Sequence, residues 1–106
     1  MAIDADHVRA IQGIGKYDAI VGSEEEARRI MRRASPDALE LPPAVAGRPY
    51  PGPPFGVIKW FQRHPPDAAP GSNDPSLPHL KYADWSRGKK NRGGSWGHLF
   101  FPDEDK

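Results

Sequence analysis

The chain has 106 residues, no cysteine and a nearly balanced charge of 15 basic against 14 acidic side chains. Only 37% of its residues are hydrophobic and its mean hydropathy is −0.73, so we expect one small domain with a thin core. The composition excludes a disulfide framework, a thiolate nucleophile and a cysteine-bound zinc ion, and no apolar run is long enough to span a membrane.

The first segment, residues 1–22, is expected to be an irregular lead-in. Within it, Asp6–Ile11 fits a short helix that ends at the glycine pair Gly13 and Gly15. Tyr17–Val21 fits either a short strand or an extended approach to the next element. The local pattern leaves these alternatives open.

The next segment, residues 23–34, predicts a helix. Ser23 and Glu26 form a capping box, and three glutamates occupy the first turn, where the helix dipole favours negative charge. Its apolar residues recur at helical spacing. Four arginines follow in the later turns; they could touch nucleic acid, but we interpret them as a solvated face paired with the glutamates one turn earlier.

A proline-rich crossover follows the helix. Residues 41–55 contain six prolines, which prevents a full ladder of backbone hydrogen bonds and predicts an irregular or polyproline-like surface path. A ligand for a proline-binding module is the alternative for this segment. A second loop of similar composition is predicted at residues 65–78.

Three aromatic-rich segments, residues 56–64, 79–85 and 95–101, have the composition and flanking turns of strands. The order of elements predicts an α+β fold, in which the helix at about 23–34 packs on a small antiparallel sheet formed by the C-terminal half. Because side chains alternate along a strand, His79 and Lys81 are expected on one face. Either face of the third strand could be the buried one.

The charge distribution indicates a polyanionic partner. Residues 59–98 carry seven basic and three acidic side chains and three of the four histidines, whereas residues 1–58 carry seven basic and eight acidic ones. The densest part is residues 85–101, WSRGKKNRGGSWGHLFF, where cations lie in a glycine-rich loop. The predicted nucleic-acid-binding residues are Lys59, Arg63, Arg87, Lys89, Lys90, Ser95 and Trp96.

These residue types are the ones that RNA cleavage by attack of a 2′-hydroxyl on the adjacent phosphate requires. Histidine suits the base and acid roles, and cations and backbone N–H groups of a glycine-rich loop stabilise the charged transition state. Tryptophan and tyrosine can stack unpaired bases. We predict His79 and His98 as general base and acid, Lys81 and Arg92 as phosphate stabilisers, and His64 as a replacement for either histidine.

No cofactor and no metal ion are predicted for this reaction. The chain lacks a zinc-binding spacing of histidines, a cluster of carboxylates for two-metal chemistry, and a Walker or dinucleotide-binding loop. Ser95 lies between glycines, as in a nucleophile elbow, but its strand-to-strand context argues against a serine hydrolase.

The chain resembles the C-terminal toxin domains of bacterial polymorphic toxin systems. The resemblance lies in the small size, in the proline-rich approach at residues 48–54, and in the closing block KYADWSRGKK…GGSWGH at residues 81–98. The order of a helix followed by a sheet is similar to the ribonuclease group of barnase, EndoU, the colicin ribonucleases and RelE. The resemblance covers residues 23–101 and rests on architecture and composition, so no catalytic residue is carried over from that group.

The resemblance implies a single toxin-like catalytic domain over residues 1–106 that acts on RNA, with tRNA as one candidate. It also implies delivery from a secreted parent protein, action in the cytoplasm of a target cell, and neutralisation by a cognate immunity protein. We expect that protein to be acidic, because the surface it must cover is basic.

Two other functions remain open at this point. One is a toxin of different activity, such as ADP-ribosyl transfer or attack on DNA or a nucleotide. An ADP-ribosyltransferase usually places a glutamate near its site, and only Glu104 follows the histidines. The other is a nucleic-acid-binding module without catalysis, which would use the basic loop and leave the histidines idle.

Overall fold

The computed structural model describes residues 3–45, 48, 52–66 and 77–102. These residues form an α+β fold with two helices and one five-stranded mixed sheet, which confirms the predicted fold class. The elements in chain order are α1 (Ile3–Gln12), β1 (Gly15–Ile20), α2 (Glu24–Ala34), β2 (Leu39–Glu40), β3 (Lys59–His64), β4 (His79–Asp84) and β5 (Ser95–Phe100).

The sheet has the order β1-β5-β4-β3-β2. Within its central part, β4 pairs with both β3 and β5 in antiparallel fashion, as predicted. The two outer strands pair in parallel, β1 with β5 and β2 with β3, so the sheet is neither wholly antiparallel nor built from the C-terminal half alone. Neither outer pairing is visible in local sequence, because each joins segments that are distant along the chain.

The N-terminal segment is also more regular than expected. Residues 3–22 are not an irregular lead-in, because they contain α1 and β1. The possible helix at Asp6–Ile11 extends to both sides, and the segment at Tyr17–Val21 is a strand because β5 supplies its hydrogen-bonding partner. A parallel pairing of this kind depends on the whole fold and not on the strand's own composition.

The predicted helix at 23–34 is α2, and its start is capped as the sequence indicates. The Ser23 side chain accepts a hydrogen bond from the Glu26 backbone N–H at 3.1 Å, and the Glu26 carboxylate accepts one from the Gly22 N–H at 3.0 Å. Its arginines form ion pairs, as with Arg28 and Glu24 at 3.0 Å. The interpretation of this face as a solvated, ion-paired surface is confirmed for that pair.

Both helices lie on the same face of the sheet and form the core with it. The helices contribute Ile11, Ala27, Ile30 and Met31, and the sheet contributes Phe61, Leu80, Tyr82, Leu99 and Phe101. The opposite face carries the alternate side chains of every strand and is called the open face below because neither α1 nor α2 covers it; its central side chains, among them His79 and Phe100, are nevertheless buried.

The proline-rich crossover is described at residues 41–45, 48 and 52–55, where it forms neither helix nor strand. Its first part runs beside β3, since the backbone N–H groups of Leu41 and Ala44 donate to the carbonyl groups of Phe61 and Arg63 at 2.9 Å each. The loop predicted at 65–78 lies outside the described residues between 67 and 76.

Candidate active site

Strand register brings three histidines together on the open face. His64 of β3 is paired with His79 of β4, and His98 of β5 is paired with Lys81. The His64 and His79 rings are stacked with centroids 5.4 Å apart, and the His79 and His98 rings meet edge to face at 5.2 Å. We call these three residues the histidine cluster; all of them were predicted as site residues from the sequence.

A carboxylate from the N-terminal strand joins this cluster. Asp18 lies opposite His98 in the parallel pairing of β1 with β5, and its Oδ1 accepts hydrogen bonds from His98 Nδ1 at 2.9 Å and from the His98 backbone N–H at 3.0 Å. The carboxylate therefore holds the proton on Nδ1 and leaves the lone pair on Nε2. Sequence reasoning missed Asp18; a carboxylate between Tyr17 and Ala19 in a strand-like segment was the available signal.

The hydrogen bonds of the other two imidazoles also define their protonated nitrogens. Gln62 donates from Nε2 to the Pro42 carbonyl at 2.7 Å, so its Oε1 faces His64 Nε2 as an acceptor at 3.0 Å. His79 Nδ1 donates to the Leu77 carbonyl at 3.2 Å. The proton of His64 is therefore on Nε2 and that of His79 is on Nδ1.

Burial keeps the cluster neutral at pH 7. It lowers the pKa of both His64 and His79 to about 4. Burial also lowers the pKa of His98, although the hydrogen bond and charge of Asp18 oppose this effect. His98 retains 5% exposure against 1% for His64 and none for His79, so it is the histidine of the cluster that is closest to solvent.

Lys81 lies beside His98 on the open face, where paired side chains on adjacent strands are about 5 Å apart at Cβ. Burial and the nearby charge of Lys90 lower the pKa of this half-buried lysine. Lys90 itself lies 5.5 Å from the centre of the Trp96 ring, two residues before His98. The imidazole of His98, the cations of Lys81 and Lys90 and the indole of Trp96 thus lie next to one another on this side of the sheet.

Three predicted binding residues lie on the helix-covered face and do not join the cluster. Lys59 pairs with Asp37 at 3.0 Å. Arg63 pairs with Glu24 at 3.0 Å. Ser95 is buried and its hydroxyl donates to the Gly13 carbonyl. The structure thus gives each of them an internal structural role.

The remaining predicted cations, Arg87, Lys89, Lys90 and Arg92, belong to the loop of residues 85–94, which is largely exposed. This loop is closed by its own hydrogen bonds: the N–H groups of Arg92 and Gly94 both donate to the Lys89 carbonyl, at 2.9 and 3.2 Å. A Cβ atom at Gly88 would lie 1.8 Å from the Arg92 carbonyl oxygen. The glycines therefore allow a compact turn, and the N–H groups of Arg92 and Gly94 are used within it, so these two groups are not available to bind a phosphate.

Comparisons with known proteins assign no family to this arrangement. No protein family matches the chain, and no curated protein or solved structure is significantly similar to it. Within the described residues, no group of three or more His, Cys, Asp or Glu side chains could hold a metal ion. In the same part of the chain, the helices are too short or too polar to cross a bilayer.

Proposed function

We propose that the protein is a metal-independent endoribonuclease, with tRNA as one candidate substrate. The observation that carries this proposal is the hydrogen bond between Asp18 and His98 beside Lys81, on a face bordered by cations and indoles. A neutral imidazole oriented by a carboxylate is suited to accept a proton, and a neighbouring lysine of lowered pKa is suited to stabilise or protonate an oxyanion.

In the proposed reaction, His98 Nε2 takes the proton from the ribose 2′-hydroxyl. The 2′-oxygen then bonds to the adjacent phosphorus while the bond from phosphorus to the 5′-oxygen breaks. Lys81 stabilises the phosphoryl oxygens and supplies the proton to the leaving 5′-oxygen. The products are a 2′,3′-cyclic phosphate and a free 5′-hydroxyl.

The proposal assigns roles that differ from those expected from the sequence. His79 and His64 have no more than 1% exposure, whereas His98 retains 5% and is oriented by Asp18, so we assign His79 and His64 to positioning His98 and not to proton transfer with RNA. His98 becomes the base and Lys81 the acid. Arg92, Lys89 and Lys90 remain proposed contacts to flanking phosphates, because they are exposed on the loop that leads into β5.

The test is cleavage of a synthetic single-stranded RNA in the presence of EDTA, with product ends identified by mass spectrometry. We expect a 2′,3′-cyclic phosphate from the parent protein and a loss of about 100-fold or more in rate for His98→Gln. His7→Gln is the matched control, since His7 lies outside the cluster and contacts Tyr17. Cleavage that disappears on chelation and returns with magnesium would refute the mechanism.

The biological setting is part of the same proposal. We place the domain among toxin tips of secreted proteins, acting in the cytoplasm of the target cell and neutralised by an acidic immunity protein over the exposed cations of residues 85–94. Expression in bacteria tests this setting: the parent chain should arrest growth and His98→Gln should not. Association with an inhibitor should slow as salt is added, because exposed charges are screened.

A nucleic-acid-binding module without catalysis is the second candidate. The observation in its favour is that His64 and His79 are almost completely buried and so are removed from any bound strand. The two candidates differ in one result: the binding module would not cleave RNA at all, whereas the ribonuclease would lose cleavage and keep binding in His98→Gln. Glu104, the glutamate that an ADP-ribosyltransferase would need, lies outside the described residues.

A further inference from the structure

A groove with an aromatic wall lies at the end of the sheet where β3 begins and β4 ends, which is the opposite end from the His64–His79 pair. It has a volume of about 480 Å³ and is lined by Gly56, Val57, Ile58, Trp85, Lys89 and Lys90. The Trp85 ring lies 6.1 Å from the Trp96 ring, at an angle of 38° between the ring planes. The groove therefore borders a pair of indoles, and one of these is two residues from His98 on the same face.

The sheet register adds a third indole to this face. Ala83 of β4 lies between Trp60 of β3 and Trp96 of β5, and all three side chains are on the open face. Ala83 and the Trp60 Nε1–H are both buried, so this part of the face is a packed apolar surface next to the groove.

The charge of the groove selects the type of ligand. Two of its described lining residues are lysines and none is acidic, and Lys90 also lies over the Trp96 ring. A flat aromatic ligand with an attached anion fits this surface better than a neutral sugar or an aliphatic chain. An unpaired nucleobase with its phosphate has that chemistry, and stacking on indoles tolerates any base.

We infer that the groove binds one unpaired base of the RNA, stacked against Trp85 and Trp96, with its phosphate held by Lys89 and Lys90. The inference rests on the proposed function for the choice of RNA as the bound strand. Trp96 lies 6.1 Å from Trp85 of the groove and about 7 Å along β5 from His98, so a strand that leaves the groove can pass Trp96 and bring a phosphodiester to His98. A base inside a duplex cannot enter the groove, and the site therefore selects single-stranded regions.

The experiment measures binding of an uncleavable 2′-deoxy pentanucleotide by fluorescence anisotropy. We expect Trp85→Ala and Trp96→Ala each to weaken binding about 5- to 100-fold, with little change in its salt dependence. Lys89→Gln with Lys90→Gln should instead reduce the slope of log Kd against log salt by about 0.7 for each phosphate that is no longer neutralised. Ile14→Ala, an exposed apolar position outside the groove, is the matched control.

A second probe makes the test independent of how the variants fold. The parent protein is titrated with the pentanucleotide series in which each position in turn is abasic. We expect one position to weaken binding by the same factor as the tryptophan variants; equal affinity across the series would overturn the base site. If RNA is cleaved but no abasic position weakens binding, the ribonuclease proposal stands and the base site is wrong. If binding depends on the indoles but RNA is not cleaved, the base site stands and the ribonuclease proposal is wrong.

Discussion

At the scale of single residues, the Asp18 carboxylate determines what His98 can do. It accepts the Nδ1 proton, directs the lone pair to Nε2, and raises a pKa that burial lowers. Lys16 Nζ lies 3.5 Å from the other carboxylate oxygen, so Asp18 forms an ion pair with its neighbour on β1 as well as the hydrogen bonds to His98. The proposed base function therefore depends on two strands, β5, which carries His98, and β1, which carries Asp18.

This arrangement predicts the pH dependence of cleavage. His98 acts when neutral, so kcat/KM should rise with pH through a midpoint below the ordinary histidine value near 6.5. Lys81 acts when protonated, so activity should fall again at high pH, with a midpoint below 10.5. Asp18→Asn should move the acid limb to lower pH, because the charge and hydrogen bond that raise the His98 pKa are removed.

Asp18→Asn should also lower the maximum value of kcat/KM by about 100-fold or more. The reason is that the amide N–H can donate to His98 Nδ1 and so stabilise the tautomer that carries its proton on Nε2, which cannot act as the base. The measurement is the pH profile of kcat/KM for the parent and variant. Asp6→Asn is the control, because Asp6 is an exposed aspartate whose ion pair in the described part of the chain is with Arg9. An acid limb that stays in place in Asp18→Asn would show that His98 is not the group that titrates.

At the scale of elements, the pairing of β1 with β5 assembles the site. It depends on Gly97, which lies between Trp96 and His98 and opposite Tyr17. A Cβ atom at Gly97 would lie 1.8 Å from the Tyr17 carbonyl oxygen, and its φ of 157° is unfavourable for other residues. The absence of a side chain at this position therefore allows the two strands to approach.

We expect Gly97→Ala to destabilise the protein by more than about 2 kcal/mol, because the backbone of β1 must move away. It should also reduce cleavage at temperatures where the variant is still folded, since Asp18 moves with β1. Urea unfolding gives the free energy, and the cleavage assay gives the rate. Gly52→Ala is the matched control, because its Cβ would meet nothing within 4 Å; a Gly97→Ala protein as stable as this control would contradict the explanation.

Local sequence predicts some of these elements but not the pairing that assembles the site. The capping box of α2 and the alternation in β3, β4 and β5 are local, and they predicted both the elements and the common face of His79 and Lys81. Asp18 and His98 are 80 residues apart, so nothing local links them. The two-residue β2 exists only because β3 is there to pair with it.

The face of the sheet on which each cation lies also depends on the whole fold. Because side chains alternate along a strand, Lys59 and Arg63 lie on the face of β3 opposite His64, but the local sequence does not indicate which face the helices cover. Because α2 packs on the face that carries Arg63, Glu24 of α2 forms an ion pair with it. Arginine and lysine in a basic segment thus became structural ion pairs, while the half-buried Lys81 stayed on the open face.

At the scale of the whole molecule, the histidine cluster couples stability to pH. His64 and His79 have a pKa of about 4 in the folded protein and about 6.5 when unfolded. Above pH 6.5 both states are neutral and stability does not depend on these groups. Below pH 6.5 the unfolded chain binds protons that the native protein does not, so stability falls until about pH 4.

Each histidine contributes a slope of up to about 1.4 kcal/mol per pH unit, so the two together should give up to about 2.8 kcal/mol per unit between about pH 6 and 4.5. Urea unfolding at half-unit steps measures this slope. His79→Gln should reduce it by up to about half, because one of the two groups with a pKa of about 4 is removed. A free energy of unfolding that stays constant from about pH 6.5 to 4.5 would contradict this prediction. It would mean that the cluster binds protons in the folded protein as readily as in the unfolded chain. The neutral tautomers assigned to His64 and His79, and their role in positioning His98, would then be wrong.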